Sequence, residues 1–238
     1  MSLTFSWATF SDKGPRAENQ DAVGVWQQSD DLLAVAVADG LGGHVGGRQA
    51  SALALGMWGE ALEASDLPDL AAVARAIHVK IRAEQALAPE LRSMATTLSA
   101  AILAGNEARV VHCGDSRIAL SRGQGIVRIT DDHSEALRLF KAGKLTPQEF
   151  RTYPRKNILE SALGIHGDPR IDVHQVELRP GDRLFFTSDG THEKIALQEL
   201  RDLAADCGNA QATSDEVFKL VSQRRPTDNF SFATVFIS

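Results

Sequence analysis

Cysteine is scarce in this chain, and several kinds of targeting signal are missing from it. The two cysteines, Cys113 and Cys207, do not form a CxxC pair, which favours reduced, partly buried thiols over a disulfide framework or a zinc site. No apolar run approaches the ~18 residues of a membrane-spanning helix. Residues 1–10 lack the basic start and long apolar middle of a signal peptide. Together these absences predict a cytoplasmic protein that does not associate with a membrane.

An excess of basic charge is also absent. The 238 residues carry a formal net charge of -6 at pH 7, and the sequence contains no basic stripe with interleaved aromatic residues. Both observations argue against binding to nucleic acid. Hydrophobic residues are plentiful at 43%, which is enough for one sizeable core. We expect residues 1–238 to form a single domain and a monomer, because no linker divides them.

The most informative stretch is a buried strand that ends in a carboxylate. The apolar run Leu32–Ala38 is typical of a strand buried on both faces, and Asp39 follows it directly. The glycine-rich segment Gly40–Gly43 then lets the backbone turn tightly and approach a ligand. His44 follows, and residues 44–47 lead into a predicted helix, so the loop lies near a helix N-terminus, where anions are favoured. A carboxylate, bare backbone and a histidine at one strand end predict a metal and phosphate site.

Further aspartates occupy comparable positions at the ends of predicted strands or between them. They are Asp21, Asp115, Asp189 and Asp228. The strand that begins after Asp21 is expected to pair with the central strand, which would bring Asp21 near Asp39. A single aspartate at a strand end is most often a cap or turn residue. Five that converge would repel one another unless some are protonated or cations lie among them. Oxygen ligands of this kind favour magnesium or manganese over zinc.

The remaining periodicity predicts several regular elements. The strands Leu98–Ala104 and Arg109–Cys113 are expected to continue, after an interruption at Gly114–Arg117, into an antiparallel three-strand meander that contains Asp115. Helices are predicted over about Arg48–Glu63, Pro68–Leu87, Ala196–Cys207 and Asp215–Arg224, the last with a capping box at Thr213–Glu216.

Residues 131–169 differ from their surroundings, because polar residues and short helical pieces replace the strands. Thr146–Glu149 combines a cap, a proline at the first helical position and a glutamate three residues after the cap. We interpret the segment as a flap over the site. The alternative is a structural insertion that does not contact substrate.

The ordered set of polar motifs resembles one family. The motifs are Arg16–Asp21, Asp39–His44, Thr96–Leu98, Gly114–Arg117, Thr130–Ser134, Ser188–Gly190 and Asp228–Asn229. In this order they resemble the metal-dependent type 2C serine/threonine protein phosphatases of the bacterial branch. The resemblance implies an α+β fold, a four-layer α-β-β-α sandwich of two mainly antiparallel sheets flanked by helix pairs. It also identifies residues 131–169 with the mobile flap of the family.

The resemblance further implies two Mn²⁺ or Mg²⁺ ions, bridged by Asp39 and a hydroxide. Asp189 and Asp228 would hold one ion, whereas Asp21, through water, and the Gly40 carbonyl would serve the other. Two cations about 3.5–4 Å apart lower the pKa of a shared water and stabilise both attacking and leaving oxygens.

Three more residues receive roles from the same resemblance. A third, looser ion would use Asp115 together with Asp189, and Arg16 would bind the phosphate as a planar fork. His44 has two interpretations, either as a proton donor to the leaving oxygen or as a hydrogen-bonding partner of its own loop backbone.

Other polar residues near the motifs are expected to have supporting roles. We expect His133 to anchor the base of the flap, Cys113 to be a structural thiol, and His192 to be incidental. Asp131 and Asp132 have two interpretations, as neighbours of the third ion or as solvated turn residues.

Gln20 stands where many relatives have glutamate, but no predicted ligand is missing, so we expect an active enzyme. The predicted activity is hydrolysis of phosphoserine and phosphothreonine in proteins phosphorylated by a serine/threonine kinase, by direct attack of the metal-bridging hydroxide. Two alternatives remain, a catalytically weak module that binds phosphoproteins and a phosphatase for small molecules.

Overall fold

A computed structural model describes residues 3–238, except for the side chains of residues 43–45. The strands are β1 (Phe5–Asp12), β2 (Asp21–Ser29), β3 (Leu32–Leu41), β4 (Ala95–Thr96), β5 (Leu98–Ala104), β6 (Glu107–Cys113), β7 (Arg117–Arg122), β8 (Gly125–Arg128), β9 (Asp172–Glu177), β10 (Arg183–Thr187) and β11 (Phe230–Ile237). The helices are α1 (Gly43–Ala64), α2 (Leu70–Leu87), α3 (Glu135–Lys141), α4 (Pro147–Thr152), α5 (Asp189–His192), α6 (Leu197–Cys207) and α7 (Ala210–Gln223), with a short 3-10 helix at Pro89–Leu91.

Two antiparallel sheets face each other at the centre of the molecule. The first has the order β1-β11-β10-β7-β8, and the second has the order β2-β3-β5-β6-β9, with β4 paired to β3. Helices α1 and α2 pack on the outer face of the second sheet through Trp58 and Ile77, and helices α6 and α7 pack on the first sheet through Leu200 and Val217. This arrangement confirms the predicted α-β-β-α sandwich.

Strand β3 is buried on both faces, as its apolar sequence predicts. Its branched residues contact the facing sheet, and its alanines leave room for helix α1 to approach closely. These residues are Leu33, Val35 and Val37 on the first face and Ala34, Ala36 and Ala38 on the second. Burial of both faces stabilises the strand by about 25 cal/mol for each Å² of apolar surface removed from water. The well-packed strand in turn holds Asp39 in place at its end.

The predicted meander is wrong, because β6 and β7 lie in different sheets. Gly114 adopts a left-handed φ of 115°, which turns the chain out of the second sheet. The Gly114 N–H donates to His133 Nδ1 at 3.2 Å, and the Gly114 carbonyl accepts from the His133 N–H at 2.7 Å. Gly114 is therefore hydrogen-bonded to His133 and not to a neighbouring strand. Asp115 therefore lies on the crossover between the sheets and not inside a strand.

Two helix starts also differ from the prediction. Helix α7 begins at Ala210, because the Asn209 side chain accepts a hydrogen bond from the Ala212 N–H at 2.9 Å. The predicted capping box at Thr213–Glu216 is wrong, since Thr213 is buried within the helix. Helix α1 begins at Gly43, five residues before the predicted start.

Residues 131–169, which we call the flap segment, contain α3 and α4 between β8 and β9. The Thr146 capping box of α4 is confirmed, with both reciprocal hydrogen bonds present. Phe140 and Phe150 stack with ring centroids 4.8 Å apart, which packs α3 against α4. In the described part of the chain, no helix is both long and apolar enough to cross a bilayer.

Candidate active site

Asp21 and Asp39 are directly opposed on the paired strands β2 and β3, as the sequence predicts. The Ser188 hydroxyl donates to Asp21 Oδ2 at 2.6 Å. Burial raises the pKa of Asp21 to about 7, and the nearby charges of Asp189 and Asp228 act in the same direction. A carboxyl group this close to other carboxylates therefore holds its proton more tightly than a solvated aspartate does.

Asp39 is held in place through its backbone by the two threonines that flank the start of β5. The Asp39 N–H donates to Thr97 Oγ1 at 2.8 Å, and the Asp39 carbonyl accepts from Thr96 Oγ1 at 2.9 Å. Thr97 in turn contacts Ser116 Oγ at 2.7 Å, on the crossover that carries Asp115. The Thr-Thr motif thus holds the backbone of Asp39 and links its position to that of Asp115.

The pKa of Asp39 is raised well above its ordinary value, first by burial and then by the charges of other aspartates. Those that contribute are Asp21, Asp189, Asp115 and Asp228. Each must lie near Asp39 to influence it, so the five predicted carboxylates gather at one edge of the sandwich. Burial and the charge of Asp189 likewise raise the pKa of Asp115 to about 7, and burial and Asp228 raise that of Asp189 to about 6.

The donor set fits a hard divalent cation, because it consists of oxygen atoms with a surplus of negative charge. Gly40 lets α1 approach the end of β3 closely, since a Cβ at this position would lie 2.1 Å from the Gly47 carbonyl oxygen. Across the described residues, however, no three His, Cys, Asp or Glu side chains stand in an arrangement that would itself hold a metal ion. The ligand roles of the individual aspartates therefore stay predictions.

Arg16 lies at the same edge and pairs with one of the predicted ligands. Its Nη2 donates to Asp228 Oδ2 at 2.6 Å, and its Nε donates to the Thr227 carbonyl at 3.2 Å. The guanidinium is more than half exposed, so its remaining donors face solvent at the mouth of the site. Its predicted contact with phosphate stays a prediction.

Asn229 organises the loop that precedes Asp21, a role that the sequence did not indicate. Its Oδ1 accepts from the Gln20 N–H at 2.9 Å, and its Nδ2 donates to the carbonyls of Lys13 and Glu18 at 2.8 and 2.9 Å. One buried amide side chain therefore holds three backbone groups of the loop. The feature of the sequence that could have indicated this role is the position of Asn229 beside Asp228, at the start of an otherwise apolar strand.

The histidines behave differently from one another. His133 anchors the base of the flap segment, because its Nε2 contacts Asp172 at 3.1 Å while its ring and backbone hold Gly114; this prediction is confirmed. His192 was expected to be incidental, but its Nδ1 contacts Thr187 Oγ1 at 3.2 Å and its side chain faces the site. The side chain of His44 lies outside the described residues.

Asp132 is neutralised by arginine and is not a solvated turn residue. Arg117 donates to it through two nitrogens, at 2.9 and 2.7 Å. Burial alone would raise the pKa of Asp132, but the hydrogen bonds and charge of Arg117, together with the charge of Arg128, lower it to about 2. Asp131 pairs with Lys141. Both contacts make the two aspartates part of the base of the flap segment.

A cavity of about 210 Å³ lies between the aspartate cluster and the flap segment, and we call it the flap cavity. Its wall includes Asp115, Asp189 and Arg117 on the side of the sheets, and Phe150, Arg151 and Lys156 on the side of the flap segment. A substrate that approaches Asp115 and Asp189 from this side would therefore contact α4 as well.

Neither cysteine is placed to act as a nucleophile. Cys113 is fully buried in β6, and burial raises the pKa of its thiol to about 12. A thiol with this pKa is almost entirely protonated near neutral pH and reacts slowly. Cys207 is a free thiol at the end of α6.

Comparison with known proteins agrees with this geometry. The family model described as protein phosphatase 2C matches residues 15–227. Protein phosphatase PhpP of Streptococcus pneumoniae is 31% identical over 226 residues, which cover 92% of this chain and 92% of that protein. The S. agalactiae serine/threonine phosphatase superposes with a TM-score of 0.88 at 26% identity, over 98% of this chain and 100% of that one.

A further solved structure is that of the catalytic domain of the serine/threonine protein phosphatase PstP in complex with two manganese ions. It superposes with a TM-score of 0.84 at 28% identity, over 99% of both chains. The family match extends from just before Arg16 to just before Asp228, and so includes most of the aspartate cluster. The chain therefore belongs to the protein phosphatase 2C family and is a serine/threonine protein phosphatase.

Proposed function

We propose that this phosphatase hydrolyses phosphoserine and phosphothreonine in proteins with the help of two bound Mn²⁺ or Mg²⁺ ions. The observation that carries the proposal is the convergence of five aspartates. Burial and neighbouring carboxylates raise the pKa values of four of them, Asp21, Asp39, Asp115 and Asp189. Buried negative charge of this kind is stabilised when cations neutralise it. The two manganese ions of the PstP complex support the same proposal.

In this proposal, four aspartates and one backbone carbonyl bind the metal ions, and an arginine binds the phosphate. Asp39, Asp189 and Asp228 hold one ion, and Asp39, the Gly40 carbonyl and, through water, Asp21 hold the other. Bound ions of this kind would lower the pKa of a water molecule between them and neutralise phosphate charge, so that hydrolysis proceeds without a covalent enzyme intermediate. Arg16 orients the phosphate with its outward-facing guanidinium.

Finer features of the proposal concern the surroundings of this centre. A third ion binds to Asp115 and Asp189, and His44 stands as a candidate proton donor to the leaving oxygen. The chain acts as one domain and as a monomer in the cytoplasm, where its two unpaired thiols remain reduced. Its substrates are the products of a serine/threonine kinase.

The test measures hydrolysis of a phosphothreonine peptide with Mn²⁺, with Mg²⁺ and with chelator, in the wild type and in Asp39→Asn. Calorimetric titration with Mn²⁺ on the same samples reports binding independently of turnover. Asp66→Asn is the matched control, because Asp66 is an exposed aspartate of the α1–α2 connection whose side chain has no partner among the described residues.

We expect activity only with metal, and a loss of at least about 100-fold in Asp39→Asn, as for removal of a group that stabilises the transition state. Activity that survives chelator would overturn the metal mechanism. Metal binding without turnover would support the phosphoprotein-binding alternative, and faster hydrolysis of free phosphorylated metabolites than of any phosphopeptide would support the small-molecule alternative.

A further inference from the structure

The flap cavity is lined by an arginine without an internal partner. Arg151 lies in the last turn of α4, is exposed and forms part of the cavity wall. Among the described residues, no carboxylate pairs with it and no hydrogen bond engages its side chain. A guanidinium at the wall of a site is therefore available to a ligand that enters the cavity.

Most other cations of the flap segment are already paired with carboxylates. The pairs are Arg138–Glu160, Lys141–Asp131, Arg155–Glu135 and Lys156–Glu193. Within the described part of this segment, Lys144 is the other lysine or arginine whose side chain lacks a partner. Lys144 does not belong to the cavity wall, so Arg151 combines a free charge with a position beside the site.

The helix that carries Arg151 is fixed relative to the aspartate cluster. Phe150, the residue before Arg151, stacks on Phe140 of α3. Lys156, which follows α4 within the flap segment, pairs with Glu193 at a separation of 2.8 Å, directly after the helix that Asp189 begins. These two contacts hold α4 beside the cavity, although no residue of α4 is itself buried.

The cavity has two chemically different ends. Asp115 and Asp189 form the end that, with cations, would receive the phosphate of the substrate. Arg117 in the wall between them is already neutralised by Asp132, so the unbalanced positive charge lies at the flap end. The volume of about 210 Å³ is many times the roughly 10–15 Å³ that a cavity needs to hold one water molecule, so a carboxylate side chain has room next to the phosphate.

We propose that Arg151 binds an acidic side chain of the protein substrate, so that the enzyme prefers phosphoserine and phosphothreonine that lie close to aspartate or glutamate. This inference rests on the proposed function, because it assumes that the phosphate occupies the aspartate cluster. The planar guanidinium suits a carboxylate better than an ammonium group does, since it donates two parallel hydrogen bonds.

The test compares phosphothreonine peptides in which alanine, glutamate or lysine is placed in turn at each of the three positions before and after the phosphothreonine. The quantity measured is the ratio of kcat/KM for the glutamate peptide to that for the alanine peptide, within each enzyme variant. The variants are Arg151→Ala and Arg151→Glu, with Lys144→Ala and Lys144→Glu as matched controls on the same segment.

In the wild type we expect the ratio to reach about tenfold at one or more positions, as for a partly exposed charged hydrogen bond. Arg151→Ala should bring the ratio to about one, and Arg151→Glu should reverse the preference towards the lysine peptide. The Lys144 variants should keep the wild-type ratio. Because each ratio is taken within one variant, a general loss of activity does not affect it.

A wild-type enzyme that hydrolyses glutamate and alanine peptides equally at all six positions would overturn this inference and leave the proposed function intact. The same holds if the Lys144 variants lose the preference as completely as the Arg151 variants. A wild-type enzyme that hydrolyses none of the peptides with Mn²⁺ would instead overturn the proposed function.

Discussion

Arg16 and Asp228 are joined by a hydrogen-bonded ion pair of 2.6 Å at the mouth of the aspartate cluster. The residue proposed to bind phosphate is thus paired with a residue proposed to bind metal. The side chains are 57% and 38% exposed, and ion pairs this accessible to water contribute only about 0–1 kcal/mol. Arg16 can therefore exchange its carboxylate partner for a phosphate at little cost.

Replacing Arg16 should impair the handling of phosphate without unfolding the protein. We expect Arg16→Ala to lower kcat/KM for a phosphothreonine peptide by about 10- to 100-fold, the effect of losing a charged hydrogen bond of about 1.5–3 kcal/mol. Arg16→Lys should recover only part of this, because an ammonium group lacks the planar fork. Steady-state kinetics measure both effects. Arg75→Ala is the control, because Arg75 is an exposed arginine of α2 that has no partner in the part of the chain that the structure describes. Equal kinetics for Arg16→Ala and Arg75→Ala would exclude a phosphate role.

The raised pKa values of the cluster predict that the metal-free protein loses stability from about pH 6.5 to 7.5, and that the effect of Asp21 and Asp115 levels off by about pH 8.5. Asp21 and Asp115 keep their protons up to a pKa of about 7 in the folded state, whereas unfolded aspartates have released theirs near 3.8. Between these two pKa values the folded state binds more protons than the unfolded state, so its stability falls as the pH rises. The fall ends once the folded state has also released these protons. The slope is about 1.4 kcal/mol per pH unit for each proton released.

The window begins at pH 6.5 because buried histidines act in the opposite direction below it. Burial lowers the pKa of His112 to about 3, so acid favours the unfolded state through this group. Urea denaturation in chelator at pH 6.5, 7.5 and 8.5 measures the effect, and Asp115→Asn should flatten the slope. Saturating Mn²⁺ should reduce the dependence of stability on pH, since bound cations replace the protons. A chelated protein that becomes more stable with rising pH in this window would contradict the clustered charge.

The location of the site was predictable from the sequence because strand burial and turn chemistry are local signals. The run before Asp39 and the pairing of Asp21 opposite it follow from apolar patterning and a short hairpin. The meander was not predictable in the same way. One glycine, Gly114, with a left-handed backbone sends β7 into the other sheet, and its partner His133 lies on a distant segment.

Side-chain contacts between residues far apart in the chain could also not be predicted from the sequence. Asn229 holds the loop before Asp21 over a separation of more than 200 residues, and no periodicity marks such a contact. The start of α7 was misplaced because two cap signals compete, and Asn209 prevails after Gly208 has ended α6 with a left-handed φ of 72°. The Arg117–Asp132 pair likewise depends on the crossover that patterning did not reveal.

Two glycines should respond in opposite ways to replacement by alanine. A Cβ at Gly190 would lie 2.0 Å from the Asn229 carbonyl oxygen, so Gly190→Ala must push α5 from the start of β11 and separate Asp189 from Asp228. We expect a loss of about 1–3 kcal/mol in stability, as for overpacking, together with a lower kcat.

Gly56 is the matched position, because it lies in the exposed face of α1 with nothing within 4 Å of a new Cβ. Gly56→Ala should raise the free energy of unfolding by about 0.5–1 kcal/mol and leave kcat unchanged. Thermal unfolding and peptide hydrolysis of both variants test the pair. A Gly190→Ala protein with wild-type kcat would show that the spacing of α5 and β11 does not control the site.

The thiols provide a test of the chemistry that is independent of metal. Because Cys113 is fully buried with a pKa of about 12, we expect iodoacetamide at pH 7.5 to leave it unmodified in the folded protein, while the more accessible Cys207 reacts. Mass spectrometry of the labelled protein identifies the modified residue. Cys113→Ala should retain wild-type kcat and lose about 1 kcal/mol of stability, as for a small cavity. Inactivation that parallels labelling of Cys113, or a Cys113→Ala protein that folds but does not turn over, would indicate a thiol nucleophile and contradict direct hydrolysis at the aspartate cluster.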